Sequence, residues 1–129
     1  MAEKEKTAKV LVVEDEEILL TGLKEELESG GYTVQGASDG VEGLEKTKSF
    51  KPDLILLDLL MPKMDGMEML QKLKADSSTR DVPVVILTNL SDYEKISEAL
   101  SLGAMDYLVK ANYKLEDLLE KVRTVLARS

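Results

Sequence analysis

The sequence predicts an α/β domain: a doubly wound, five-stranded parallel sheet in the order 2-1-3-4-5, with five helices on two faces. Two observations predict it. Val10-Leu11-Val12-Val13, Leu54-Ile55-Leu56-Leu57 and Val84-Val85-Ile86-Leu87 are unbroken apolar runs, the pattern of strands covered on both faces rather than on one. Between them apolar residues recur at helical spacing, so strands and helices alternate strictly, and right-handed crossovers then wind helices onto both sides of the sheet.

The elements follow in chain order. The first run stops at Glu14-Asp15, and Leu19, Leu20, Leu23 and Leu27 predict a first helix over roughly 17–29, closed by left-handed residues at Gly30-Gly31. Tyr32 to Ala37 alternates weakly and reads as an edge strand; Val41 and Leu44 mark a short second helix that Pro52 keeps from extending. The central strand runs into Asp58. Asp65 then caps a third helix, with Glu68 at its third position and Met67, Leu70 and Leu73 on one face. The fourth strand, Val84 to Leu87, is followed by Thr88-Asn89, Ser91 to Glu94 is a capping box for a fourth helix, and Gly103 terminates it. Tyr107-Leu108-Val109 is a short fifth strand ending in Lys110, and Leu115, Leu118, Leu119, Val122 and Leu126 stripe the last helix. Residues 1–8, rich in Lys and Glu, are expected to be a flexible N-terminal segment, and residues 9–128 the domain.

Composition narrows the chemistry. A chain of 129 residues, 43% hydrophobic, is long enough for one packed core. Twenty-five acidic against 17 basic residues leave a net charge of −8, which disfavours direct binding to nucleic acid or to an anionic membrane. With no cysteine and no histidine, disulfides, thiolate or imidazole metal sites, cysteine nucleophiles and histidine bases are excluded. The absence of a signal-peptide pattern or a long apolar run points to a cytoplasmic protein.

Chemistry must therefore run on carboxylates, hydroxyls and lysine. In the 2-1-3-4-5 order the winding reverses between strands one and three, so Glu14, Asp15 and Asp58 share one crevice, with Thr88 and Lys110 on the same rim. Three carboxylates so close repel unless a hard cation joins them, and one or two carboxylates with waters and phosphate oxygens suit Mg²⁺ better than Ca²⁺. A phosphoryl substrate follows, with Asp58 as nucleophile. Asp15 also stands where an N-cap of the first helix could fall. Asp65 is read as a helix cap and left outside the site. Met61, Met64, Met67 and Met69 read as loop and core filling.

These residues, in this order and spacing, resemble a response-regulator receiver domain of two-component phosphorelay signalling, CheY-like, over Lys9 to Leu126. Glu14-Asp15 matches the family's acidic pair, Asp58 its phosphoacceptor, Thr88 its switch hydroxyl, Tyr107 its switch aromatic and Lys110 its phosphate-contacting lysine; Met61-Pro62 and Asp65-Gly66 fit the loop that follows. The resemblance implies the flavodoxin-like form of the fold and a phosphorylatable switch rather than an enzyme, limited to Mg²⁺-dependent self-phosphotransfer and autodephosphorylation. The donor is a sensor histidine kinase or histidine phosphotransfer protein. Mg²⁺ is held by Asp15, Asp58 and the Leu60 carbonyl, with Glu14 acting mainly through water. Phosphorylation recruits Thr88 and Lys110, turns Tyr107 inward and remodels the face of the fourth helix, fifth strand and fifth helix, where a downstream protein docks. Family members are monomers or phosphorylation-dependent dimers.

Two positions depart from the family pattern. Asn89 stands where a small residue is usual and bears on access to the phosphoryl group. Ala111 replaces the usual proline, and since a cis bond there costs about 2.5–4 kcal/mol, a trans Lys110-Ala111 bond is expected. A haloacid-dehalogenase-type phosphatase needs a second aspartate where Leu60 stands. A flavodoxin-like cofactor carrier is opposed by the acidic run Glu14 to Glu17. The alternative is a phosphorylation-independent interaction module, against which the intact set of Asp15, Asp58, Thr88 and Lys110 argues. Because no segment for an output domain follows the last helix, signalling is expected to proceed by docking another protein, unless the chain is an excised receiver.

Overall fold

The computed structural model describes residues 7–61, 63–88, 93–110 and 113–128. Five strands, β1 (Lys9–Val13), β2 (Thr33–Ala37), β3 (Leu54–Asp58), β4 (Val84–Thr88) and β5 (Asp106–Val109), alternate with α1 (Glu17–Ser29), α2 (Gly40–Phe50), α3 (Gly66–Ala75), α4 (Tyr93–Ser101) and α5 (Leu115–Arg128). All strand pairs are parallel and the order is β2-β1-β3-β4-β5, as the apolar runs require.

The strand period of two divides the core. Val10, Val12, Leu54, Leu56, Val85 and Leu87 face α1 and α5, where they meet Leu23, Leu27, Leu118, Val122 and Val125. Leu11, Val13, Ile55, Leu57, Val84 and Ile86 face the other layer, against Met69, Leu70 and Leu73 of α3 and Ala99 of α4. Both faces are covered, which is why the central strands show no polar alternation.

Several local expectations need correction. Gly30 caps α1 at φ −85, so only Gly31, at φ 97, is left-handed. The edge strand begins at Thr33, one residue later than the alternation suggested, and β5 begins at Asp106, one residue earlier than expected. The second helix runs for 11 residues and turns off at Lys51, itself left-handed at φ 55, just before Pro52. Leu115 lies in the first turn of α5 with 42% of its surface exposed, while Val125, which the stripe omitted, is fully buried. A helix turns 100° per residue, so Leu118, Val122 and Val125 share the packed face while Leu115 falls to its side.

Asp65 does cap α3, accepting the Glu68 N–H at 2.9 Å. Gly103 follows α4 at φ 117. The capping residues Ser91 and Asp92, together with Pro62, Asn89 and Ala111 and residues 1–6, lie outside the described residues. Ala8 is tied to the sheet edge, its carbonyl accepting the Thr33 N–H at 3.0 Å. Among the described residues no helix is long and apolar enough to cross a membrane.

Tyr113, just ahead of α5, ties this region to α1 through its hydroxyl, which donates to Glu26 Oε1 at 2.9 Å. Burial, reinforced by that bond, pushes the phenol up from 10.0 to about 12.

Two predictions follow from the packing. Leu118→Ala, at a fully buried site, is expected to cost about 2–5 kcal/mol in urea unfolding, and Leu115→Ala to stay within about 0.5 kcal/mol of wild type. Because the Tyr113 pKa is raised on folding, its contribution is complete below pH 10.0 and is lost as the pH rises through about 12. The stability gap between wild type and Tyr113→Phe should therefore close across that window, as followed by unfolding at each pH.

Candidate functional site

The C-terminal ends of four neighbouring strands build the site. Glu14 follows β1 and extends its pairing to β2, donating its N–H to Ala37 O at 2.9 Å. Asp58 is the last residue of β3 and Thr88 the last of β4; Lys110 follows β5, its N–H donating to Thr88 O at 2.7 Å. Because the winding reverses between β1 and β3, the Glu14 and Asp58 ends lie side by side at the switch point of the sheet.

Glu14 is fully buried and Asp58 only 3% exposed, whereas Asp15 is open to solvent. One carboxylate oxygen from each of the three lies within 4.8 Å of the others. The Lys110 ammonium reaches into this group, 2.9 Å from Glu14 Oε1 and 3.2 Å from Asp58 Oδ2. Burial pushes the Glu14 carboxyl up from 4.5 to about 7, against the opposing pull of Lys110. Asp58 is raised for the same reason, offset by Lys110 and by the Leu60 N–H, which donates to Asp58 Oδ1 at 3.2 Å. Burial lowers the Lys110 pKa, but its bonds to Glu14 and Asp58 outweigh that and hold it above 10.5.

One lysine cannot neutralise two buried carboxylates and an exposed third, so the crevice is short of positive charge. Its donors are all oxygens, the set that a hard divalent cation takes. Asp15 is not spent as a helix cap: Glu16 occupies the N-cap position of α1. Leu60 turns its side chain outward, 59% exposed, and keeps its backbone at the acid.

Thr88 is buried on the rim beside Asp58, one strand over. Tyr107 lies on β5, paired with Ile86, two residues before the Val109 that pairs with Thr88, so Thr88 and Tyr107 share a sheet face. Its half-buried ring packs on the α3 and α4 layer, and the Lys121 ammonium sits 5.6 Å from the ring centre. Glu14, Asp15, Asp58 and Lys110 are thus brought into one cluster, Thr88 borders it, and Tyr107 lies further along the edge strand. Sequence reasoning missed Glu16, whose N–H donates to Glu14 Oε2 at 3.0 Å and whose carboxylate is 3.5 Å from Lys110. Its only signal was membership of the acidic run.

Comparison with known proteins agrees with this geometry. Residues 10–123 match the family model of the response regulator receiver domain. The chain is 37% identical over 121 residues to the DNA-binding dual master transcriptional regulator RpaA of a Synechocystis species, covering 94% of this chain and 50% of that protein. It is 41% identical over 120 residues to the response regulator ArlR of Staphylococcus aureus, covering 92% of this chain and 52% of that one. The chain therefore spans about half the length of these curated relatives. Among solved structures, the chemotaxis protein CheY4 of Vibrio cholerae superposes with a TM-score of 0.87 at 33% identity, covering 93% of this chain and 99% of that one. A CheY-like receiver domain protein of Methanospirillum hungatei gives 0.88 at 30% identity, covering 95% and 96%. An acidic switch-point crevice, the five-stranded topology and these likenesses lead to one conclusion: the chain belongs to the response regulator receiver domain family.

Proposed function

We propose that Asp58 is the phosphoacceptor of this receiver domain and that Thr88, Tyr107 and Lys110 convert its phosphorylation into a change of protein-binding surface. The observation that carries the reading is the Lys110 ammonium lodged between Glu14 and Asp58, in a crevice still short of positive charge. With a phosphohistidine donor, an Asp58 carboxylate oxygen attacks phosphorus, the N–P bond breaks and the imidazole departs with the bonding pair. An acyl phosphate on Asp58 results.

Asp15, Asp58 and the Leu60 carbonyl, with Glu14 through water, would hold Mg²⁺, which when bound supplies charge to neutralise the phosphoryl oxygens. Lys110 already points at Asp58 Oδ2 and needs only a short shift to take a phosphoryl oxygen. The Thr88 hydroxyl serves as second donor. As the rim closes on the phosphoryl group, Tyr107 turns inward on the same sheet face and the α4-β5-α5 surface is remodelled, a population shift driven by contacts that only the phosphorylated state makes.

The donor is a sensor histidine kinase or a histidine phosphotransfer protein, and the output is docking of a downstream protein on that surface, the domain acting as a cytoplasmic monomer or phosphorylation-dependent dimer. RpaA is a DNA-binding regulator by name, but the −8 charge of this chain makes the receiver itself a poor DNA surface. An interaction module that ignores phosphorylation is disfavoured by the buried, lysine-bridged acids, which a passive surface would not require.

Acetyl phosphate with Mg²⁺ is expected to add a single phosphoryl group by intact mass, absent in Asp58→Asn; a wild-type chain that gains no acid-stable, base-labile adduct would sink the reading. Lys110→Met leaves buried acids without their partner, and a loss of about 3–5 kcal/mol is expected at pH 8 without divalent cation. The loss should shrink at pH 5, where the Glu14 carboxyl, raised to about 7, already carries its proton. Melting curves at the two pH values check the sign.

A further inference from the structure

The loop between β3 and α3 carries the Leu60 backbone, yet much of what holds it comes from a distant part of the chain. The Gly40 N–H, at the first residue of α2, donates to Met64 O at 3.2 Å. A Cβ at residue 40 would stand 2.5 Å from that oxygen and 2.8 Å from Met64 Cβ, so only glycine lets the loop lie there undisturbed. Asp39 grips the same loop with a charge. Its Oδ1 accepts the Glu42 N–H at 2.8 Å and caps α2, while its Oδ2 meets Lys63 Nζ at 3.5 Å. Lys63 is held at φ 64, a left-handed conformation that a side chain disfavours, so neighbouring contacts must impose it.

The far end of the loop is fastened back to the residue that follows β3. The Gly66 N–H donates to Leu59 O at 3.0 Å, and a Cβ at residue 66 would fall 2.1 Å from Asp58 O. Between these two attachments the Leu60 N–H donates to Asp58 Oδ1. Asp39 and Gly40 thus touch the same loop that carries the Leu60 backbone.

We propose that Asp39 and Gly40 are positioning residues for the phosphoacceptor site: by gripping Lys63 and Met64 they set the loop after Asp58 and so hold the Leu60 backbone against the Asp58 carboxylate. This rests on the reading of Asp58 and the Leu60 carbonyl as Mg²⁺ ligands. Residues that orient metal ligands from behind are worth about 10–100-fold in metal affinity.

The test is Mg²⁺ titration calorimetry on the full chain, joined to hydrogen exchange at the Gly66 amide without metal. Gly40→Ala is expected to weaken Mg²⁺ binding about tenfold and to speed Gly66 exchange, while its melting transition stays cooperative. Lys63→Met, at a side chain 71% exposed, should weaken binding in the same direction by less, and it keeps the test alive if Gly40→Ala fails to fold. Thr47→Ala removes a buried group elsewhere in α2 and should lower the melting temperature with Mg²⁺ affinity unchanged. Wild-type affinity in the foldable loop variants, or an equal loss in Thr47→Ala, overturns the positioning role alone. A wild-type chain that binds no Mg²⁺ overturns the ligand reading and this proposal with it.

Discussion

A sheet buried on both faces has no room for a charged side chain along its strands, so charges that must stay near the core collect at the strand ends. Here that constraint puts Glu14, Asp58 and Lys110 on one rim, where burial raises both carboxyls and the Lys110 ammonium is the only buried counter-charge among the described residues. The rest of the molecule can be understood as what keeps that rim in register. Parallel pairing aligns Val13 with Leu57 and Asp58 with Leu87, so the acids and the Thr88 hydroxyl emerge at one level. A slip of one residue would exchange the two faces of the strand that slips and turn its apolar side chains out of their packing.

The same charge balance leaves the crevice short of positive charge. Two buried carboxylates held by one lysine are frustrated, and a cation or a phosphoryl group bound at Asp58 would alter which partners Lys110 prefers. Thr88 and Tyr107 sit on one face of adjacent strands, and Lys121 from α5 reaches around the edge strand to the Tyr107 ring and to Asp106. The helices that bury the sheet are thus in contact with the elements that would carry a signal outward.

Much of this was legible in the residues alone. The three central strands announced themselves as uninterrupted Val, Leu and Ile, which is what burial on both faces demands, and strict alternation with helices left the strand order little freedom. Asp58 was visible as an acid ending such a run, and Asp65 as a cap by its spacing to Glu68. Element ends were less visible. Lys51 adopts a left-handed turn that its side chain does not advertise, and Leu115 looks apolar in sequence although it sits on the open side of α5.

What the sequence by itself determined was the set of elements, their order and the chemical types at the strand ends, because these depend on local periodicity and on a topology with few alternatives. What only the tertiary structure decided was who faces whom. That Lys110 bonds Glu14 and Asp58 together, that Glu16 joins them, and that Gly40 lies against Met64 are contacts between residues far apart in the chain. Such contacts are set by packing angles and side-chain reach, which no short window of sequence encodes.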